Sequence, residues 1–220
     1  MHRSILFDFN GVIADDERLH CDALIATLGT LGFLLDRETY YRDYLGFDDR
    51  ACFRHAFERM GRRVDDRSIE AVIADKGARY EAAMAASMAL VPGAADFVRE
   101  AHREGMTLAI VSGALRREIE IVLSRAELTH CFHTVIAAED VPACKPDPAG
   151  FRLGLSRLGA DARHTVVIED SLPGLKAARA AGLRCAMLTT SHPRSELSAA
   201  DLVWDDLAGR SPVELPWGEE

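Results

Sequence analysis

With 220 residues, 48% hydrophobic and 28% charged, the chain can bury a sizeable core, as one large domain or two smaller ones. Its formal net charge of −9, with no Lys/Arg-rich block, excludes a nucleic-acid footprint, and no apolar run approaches the length of a membrane span. The acidic balance does not exclude a phosphorylated small molecule, because one local cation can invert the field inside a pocket. Cys21, Cys52, Cys131, Cys144 and Cys185 are scattered and lack a C-x-x-C pair, so they read as free thiols in a reducing cytosol. The N-terminus runs straight into an apolar strand without the charged and apolar regions of a signal peptide, so the expected location is cytoplasmic.

The first stretch, SILFDFNGV at 4–12, organises the rest. Ile5, Leu6 and Phe7 read as a strand buried on both faces, which suits the centre of a parallel sheet. Asp8, Asn10 and Gly11 follow it, and the glycine lets the backbone turn sharply. Asp15 or Asp16 is placed to cap a helix running to about Thr30, with Leu19, Leu24, Ile25 and Leu28 on one face. Helical patterns follow over about 37–45, 49–60 and 66–88, with no strand between them. Residues 14–90 therefore read as a helical unit inserted after the first strand.

Pro92-Gly93 marks the return. A helix over about 94–104 ends at Gly105, and MTLAIV at 106–111 is a buried-type strand. Helices then alternate with strands: helix 116–125, strand 134–137, helix 147–158, strand 165–168, helix 172–181, strand 184–188 and a short strand at 202–204. Such alternation predicts an α/β fold, a doubly wound, mostly parallel Rossmann-like sheet. The core is expected over 1–13 and 91–220, with the all-helical insertion over 14–90.

Polar residues fall at the predicted carboxyl ends of three strands: Asp8, Ser112, and the pair Glu169-Asp170. Lys145 lies just before a helix start. In a parallel sheet these ends share one edge, where open α/β sheets bind ligands. Asp8 can serve as nucleophile or metal ligand. Adjacent carboxylates at 169 and 170 suit Mg²⁺, which takes few protein oxygens and keeps waters. Ser112, with the backbone N–H groups of Gly113 and Ala114, suits a phosphoryl oxygen, and Lys145 offers a balancing charge.

The pieces FDFNGVIADDE at 7–17, VSG at 111–113, KPDP at 145–148 and IEDSLPGLKAA at 168–178 resemble, in order and spacing, the haloacid dehalogenase-like hydrolases. The nearest branch holds β-phosphoglucomutase, phosphoglycolate phosphatase and sugar-phosphate phosphatases. The resemblance spans essentially the whole chain, and the helical insertion sits where that branch carries its cap domain. It implies an aspartyl-phosphate at Asp8. It also implies a Mg²⁺ site made by Asp8, the backbone carbonyl of Asn10, Glu169 and Asp170. Ser112 and Lys145 match the residues that hold the phosphoryl group. The implied partner is a small phosphorylated metabolite, and a monomer is the expectation.

One position departs from the family. The residue two after the nucleophile is usually a second aspartate, which protonates the leaving group and helps activate water; here it is Asn10. Loss of a general acid/base costs about 10²- to 10⁴-fold. Phosphatase activity then needs another proton source, with Asp15, Asp16 and His20 as candidates, or a leaving group such as that of an acyl phosphate. Alternatively the chain binds a phosphometabolite, or forms a long-lived aspartyl phosphate, with slow turnover. A phosphosugar mutase is disfavoured because Asn10 weakens its proton shuttle, and a dehalogenase is disfavoured by the Glu169-Asp170 pair. A phosphonate-cleaving member needs an early cap lysine, whereas Lys76 lies late in the insertion and reads as an exposed helix lysine.

The segment from Tyr44 through Gly46 to Arg50 is the candidate substrate-contact loop of the insertion, with Arg50 able to grip a second phosphate or a carboxylate. Arg116 and Arg117 are weaker candidates of the same kind. Hinges are expected near Ala14-Asp15 and Val91-Gly93.

Overall fold

In the computed structural model, which describes residues 2–45 and 47–218, the first strand, β1, spans Ser4–Phe7 and is buried along its whole length. It lies at the centre of a six-stranded sheet with β2 (Thr107–Val111), β3 (Thr134–Ile136), β4 (Thr165–Glu169), β5 (Arg184–Leu188) and β6 (Leu202–Trp204). The order is β3-β2-β1-β4-β5-β6, and every pairing is parallel. This is the doubly wound α/β fold expected from the alternation of strands and helices. Chain order reverses direction between β1 and β4, and open α/β sheets bind ligands beyond the carboxyl ends of strands at such a reversal.

Alternation along β1 places its side chains on two faces. Leu6 joins Val111, Ile136, Phe151, Val167, Leu175 and Met187 in one apolar cluster. On the other face Phe7 meets Phe97 and Phe132 edge-on, with ring centroids 6.2 and 5.8 Å apart, and Phe97 in turn meets Trp204. Both faces are thus covered by helices and loops, which is why the strands are continuously apolar rather than alternating.

The chain divides into two compact units, Met1–Asp15 with Ala89–Glu220, and Asp16–Met88. The connecting segments pair with each other: Asp15 N–H donates to the Ala89 carbonyl at 3.1 Å, and Val91 N–H to the Ile13 carbonyl at 3.0 Å. The first unit also carries α5 (Ala94–Arg103), α6 (Arg116–Arg125), α7 (Ala149–Leu158) and α8 (Leu172–Ala180). No described helix is long and apolar enough to cross a membrane.

The second unit is all helical: α1 (Glu17–Thr30), α2 (Arg37–Asp43), α3 (Asp49–Arg59) and α4 (Asp66–Ala86). Aspartates start three of these helices, with Asp36, Asp48 and Asp65 each accepting from the backbone N–H three residues on. Its core gathers Cys21, Leu24, Leu28, Tyr44, Phe53, Phe57 and Ile69.

Two readings of this unit are corrected. Asp16 occupies the N-cap position of α1 but does not cap it with its side chain; that carboxylate is fully buried and accepts from the Tyr80 hydroxyl instead. Lys76 is not an exposed helix lysine. It is 1% exposed, pairs with Asp49 at 2.9 Å, and lies 2.6 Å from Nδ1 of His20, whose ring stacks on Tyr80. A periodicity argument cannot see this, because the lysine's partners come from α1 and α3. The five cysteines are free; four are buried and Cys144 is partly exposed.

Candidate active site

Strand register brings the polar residues to one level. Phe7 lies beside Ile110 on one neighbour and Ile168 on the other, so Asp8 follows at the level of Glu169. The Asp8 N–H donates to the Ile168 carbonyl at 2.9 Å, and the Ser112 N–H to the Ile136 carbonyl at 2.9 Å, so both residues continue the ladder one step past their strands. Asp8, Ser112, Glu169 and Asp170 are all buried, although each has a polar side chain. Buried charge of this kind persists only where partners offset its desolvation.

Lys145 is the main partner. Its ammonium lies 2.6 Å from Oδ1 of Asp8 and also donates to Oε1 of Glu169. Burial works against the lysine charge, but the two carboxylates outweigh it and hold the ammonium above its ordinary range. Burial pushes Asp8 up to about 6; Lys145 opposes that rise and Glu169 adds to it.

The remaining oxygen of Glu169, Oε2, accepts from the N–H groups of Asp170 and Ser171, both at 3.0 Å, and from the Ser171 hydroxyl at 2.9 Å. Ser171 also accepts from Gly174 N–H and so caps α8. Gly174 has to be glycine: a Cβ there would fall 1.9 Å from the Glu169 carboxyl group. Gly174→Ala is therefore expected to displace Glu169 and Lys145 and to lower stability by about 1–3 kcal/mol, as overpacked sites do. Urea unfolding checks this; a variant as stable as the parent contradicts it.

Asp170 is gripped from the far side by residues unmarked in the sequence reading. The Ser191 hydroxyl donates to its Oδ2, and the Thr190 hydroxyl lies 3.3 Å from the same atom. Gly11, at φ +71°, passes so close that a Cβ would fall 1.9 Å from Oδ2. Thr190 and Ser191 lie just beyond β5, at the same sheet edge as the other polar residues. The polar run TTSH at 189–192 after an apolar strand is the signal that marks them.

Asp8, Glu169 and Asp170 each offer an oxygen, and these atoms lie within 4.8 Å of one another. Three carboxylates against one ammonium leave two negative charges in a buried space. A hard divalent cation neutralises such a group, and all-oxygen donors are the kind Mg²⁺ takes. The donor set therefore fits the metal expected from the sequence.

The other candidates stand as follows. Ser112 accepts from Ala114 N–H at 3.1 Å, and Gly113 is exposed with open space where a Cβ would project. Asn10 is half-buried, and its backbone pairs with Ala14 as the chain turns at Gly11. In the helical unit, His20 lies against Lys76 and Tyr80. Arg50 is exposed and pairs with Glu70 and, at 3.7 Å, with Asp66. Gly46 lies outside the described residues. Arg116 is committed to Asp140 and the Val135 carbonyl.

The family model for haloacid dehalogenase-like hydrolases matches residues 5–188, and the chain belongs to that family. It is a phosphohydrolase. It is 35% identical over 220 residues to the protein CbbY of Cereibacter sphaeroides, covering 94% of each chain. It is 28% identical over 219 residues to validoxylamine A 7'-phosphate phosphatase of Streptomyces hygroscopicus subsp. limoneus, covering 99% of this chain and 97% of that one. Among solved structures it matches an aspartate-to-asparagine variant of CbbY from Rhodobacter sphaeroides in complex with xylulose-(1,5)bisphosphate. That match has a TM-score of 0.84 and 33% identity, over 95% of this chain and 96% of that one.

Proposed function

We propose that the chain is a Mg²⁺-dependent phosphatase of a small phosphorylated metabolite, working through an aspartyl phosphate at Asp8. The observation that carries this reading is the convergence of Asp8, Lys145, Glu169 and Asp170 within hydrogen-bond or ligand distance at one sheet edge. Asp8, Asp170, Glu169 and the Asn10 backbone carbonyl are the groups to hold Mg²⁺. When bound, the ion offsets the repulsion between the carboxylate and the phosphoryl oxygens.

Asp8 attacks phosphorus through a carboxylate oxygen, and the bond to the leaving oxygen breaks as the new P–O bond forms. Lys145 holds Asp8 in place and balances charge gathering on the phosphoryl group. Ser112 and the adjacent backbone N–H groups receive the phosphoryl oxygens. Water then cleaves the acyl phosphate, returning the carboxylate and releasing inorganic phosphate. The helical unit occupies the sequence position of the family's cap domain.

Asn10 favours a second reading, in which the chain binds a phosphometabolite and turns it over slowly. An amide neither gives nor takes the leaving-group proton usefully. The solved CbbY complex with a sugar bisphosphate carries a substitution of the same kind. One experiment decides between the readings: Mg²⁺-dependent phosphate release by the native chain on a panel of sugar bisphosphates, phosphoglycolate and acyl phosphates. Turnover on any member that chelator abolishes supports the phosphatase. Binding to a bisphosphate without turnover on any member supports the binder.

A further inference from the structure

The structure assigns Thr190 and Ser191, in the turn after β5, as positioning residues that set the affinity of the carboxylate site for its divalent cation. This rests on the metal reading above and concerns residues outside the carboxylate set itself.

The two hydroxyls do different work. A hydroxyl has one proton to donate. Thr190 Oγ1 lies 2.7 Å from the Gly11 carbonyl and 3.3 Å from Asp170 Oδ2, so its proton goes to Gly11. Ser191 is then the donor to Asp170 Oδ2. The Thr190 bond joins residues 179 positions apart in sequence and ties the β5 turn to the turn that carries Asn10 and Gly11. The Ser191 bond fixes the rotation of the Asp170 carboxylate. Gly11, with no Cβ, lets the turn close down on that same oxygen. One dipeptide therefore holds both components of the site that come from opposite ends of the chain: the backbone after Asp8 and the carboxylate after β4.

Groups that orient metal ligands are worth about 10- to 100-fold in metal affinity. The expected result is that Ser191→Ala and Thr190→Val each weaken Mg²⁺ binding by about tenfold or more. Ser191→Thr and Thr190→Ser, which keep the hydroxyl, are expected to bind as the parent does. Isothermal titration of chelator-stripped protein with Mg²⁺ reads this without substrate, and circular dichroism confirms that each variant is folded. A merely structural role would lower the melting temperature and leave the Mg²⁺ dissociation constant unchanged. Dissociation constants within twofold of the parent for both Ser191→Ala and Thr190→Val overturn the proposal, as does weakening that the hydroxyl-retaining variants share. If Thr190→Val does not fold, Ser191→Ala with Ser191→Thr decides alone. A parent chain that binds no Mg²⁺ overturns the metal reading itself, so the two failures are distinguishable.

Discussion

Asn10→Asp is expected to raise Mg²⁺-dependent phosphate release by about 10²-fold or more, the worth of a general acid/base at a leaving oxygen. The backbone at this position stays in the same turn, because Gly11 rather than the side chain of residue 10 makes the bend. The new carboxyl gains the ability to give a proton to the leaving alkoxide and to take one from the attacking water. It also adds a fourth acid to a stretch of sheet edge that already holds Asp170 and the two carboxylates, Asp8 and Glu169, that share the Lys145 ammonium. Like charges gathered in a buried space repel. The variant should therefore melt lower than the parent in chelator and recover with Mg²⁺. Steady-state phosphate assays and thermal melts measure the two effects together. A parent chain already as fast as Asn10→Asp would show that the leaving group obtains its proton elsewhere.

On the proposed mechanism Asp8→Asn is expected to lower phosphate release by about 10⁴-fold or more, since a covalent nucleophile has no substitute. Stability should move the other way. Burial raises Asp8 to about 6 against an ordinary 3.8, with Lys145 only partly offsetting it and Glu169 adding to it. In the metal-free protein the folded state therefore holds the Asp8 proton more tightly than the unfolded state does. This contribution to stability is largest at low pH and falls as pH rises from about 4 to about 6, because the folded state binds more protons across that window. Above it the parent carries a charged carboxylate in a desolvated place, and the amide does not. Urea unfolding in chelator at pH 5 and pH 7 is expected to show Asp8→Asn at least as stable as the parent at pH 7, with the advantage shrinking at pH 5. A nucleophile kept at the expense of stability is a common feature of active sites. Equal phosphate release by parent and variant would remove Asp8 from the mechanism.

Much of this molecule is legible from the chain alone because its elements are short and its punctuation is strong. Apolar runs such as LAIV at 108–111 and VVI at 166–168, each flanked by helical patterns, leave little but a parallel sheet. Once the sheet is parallel, residues just after different strands meet at one edge, so the sequence alone groups Asp8, Ser112 and the Glu169-Asp170 pair. Asn10 was equally visible as a departure, since it lies two residues from Asp8 in a motif whose chemistry needs an acid.

Side-chain commitments needed the tertiary structure. Glu169 and Asp170 are neighbours in sequence, yet one turns to Lys145 and the start of α8 while the other turns to Gly11 and Ser191. Lys76 looked solvent-facing by helical periodicity but finds partners on two other helices. The polar run after β5 marks Thr190 and Ser191 as strand-end residues but not their partners; only the β5 register brings their hydroxyls to residues near the start of the chain and at the end of β4. The sequence determined which strand ends meet, because strand periodicity and connectivity are local. The tertiary structure decided which oxygen faces which donor, because a hydrogen bond is settled by ångström-scale distances between residues that the chain order keeps far apart.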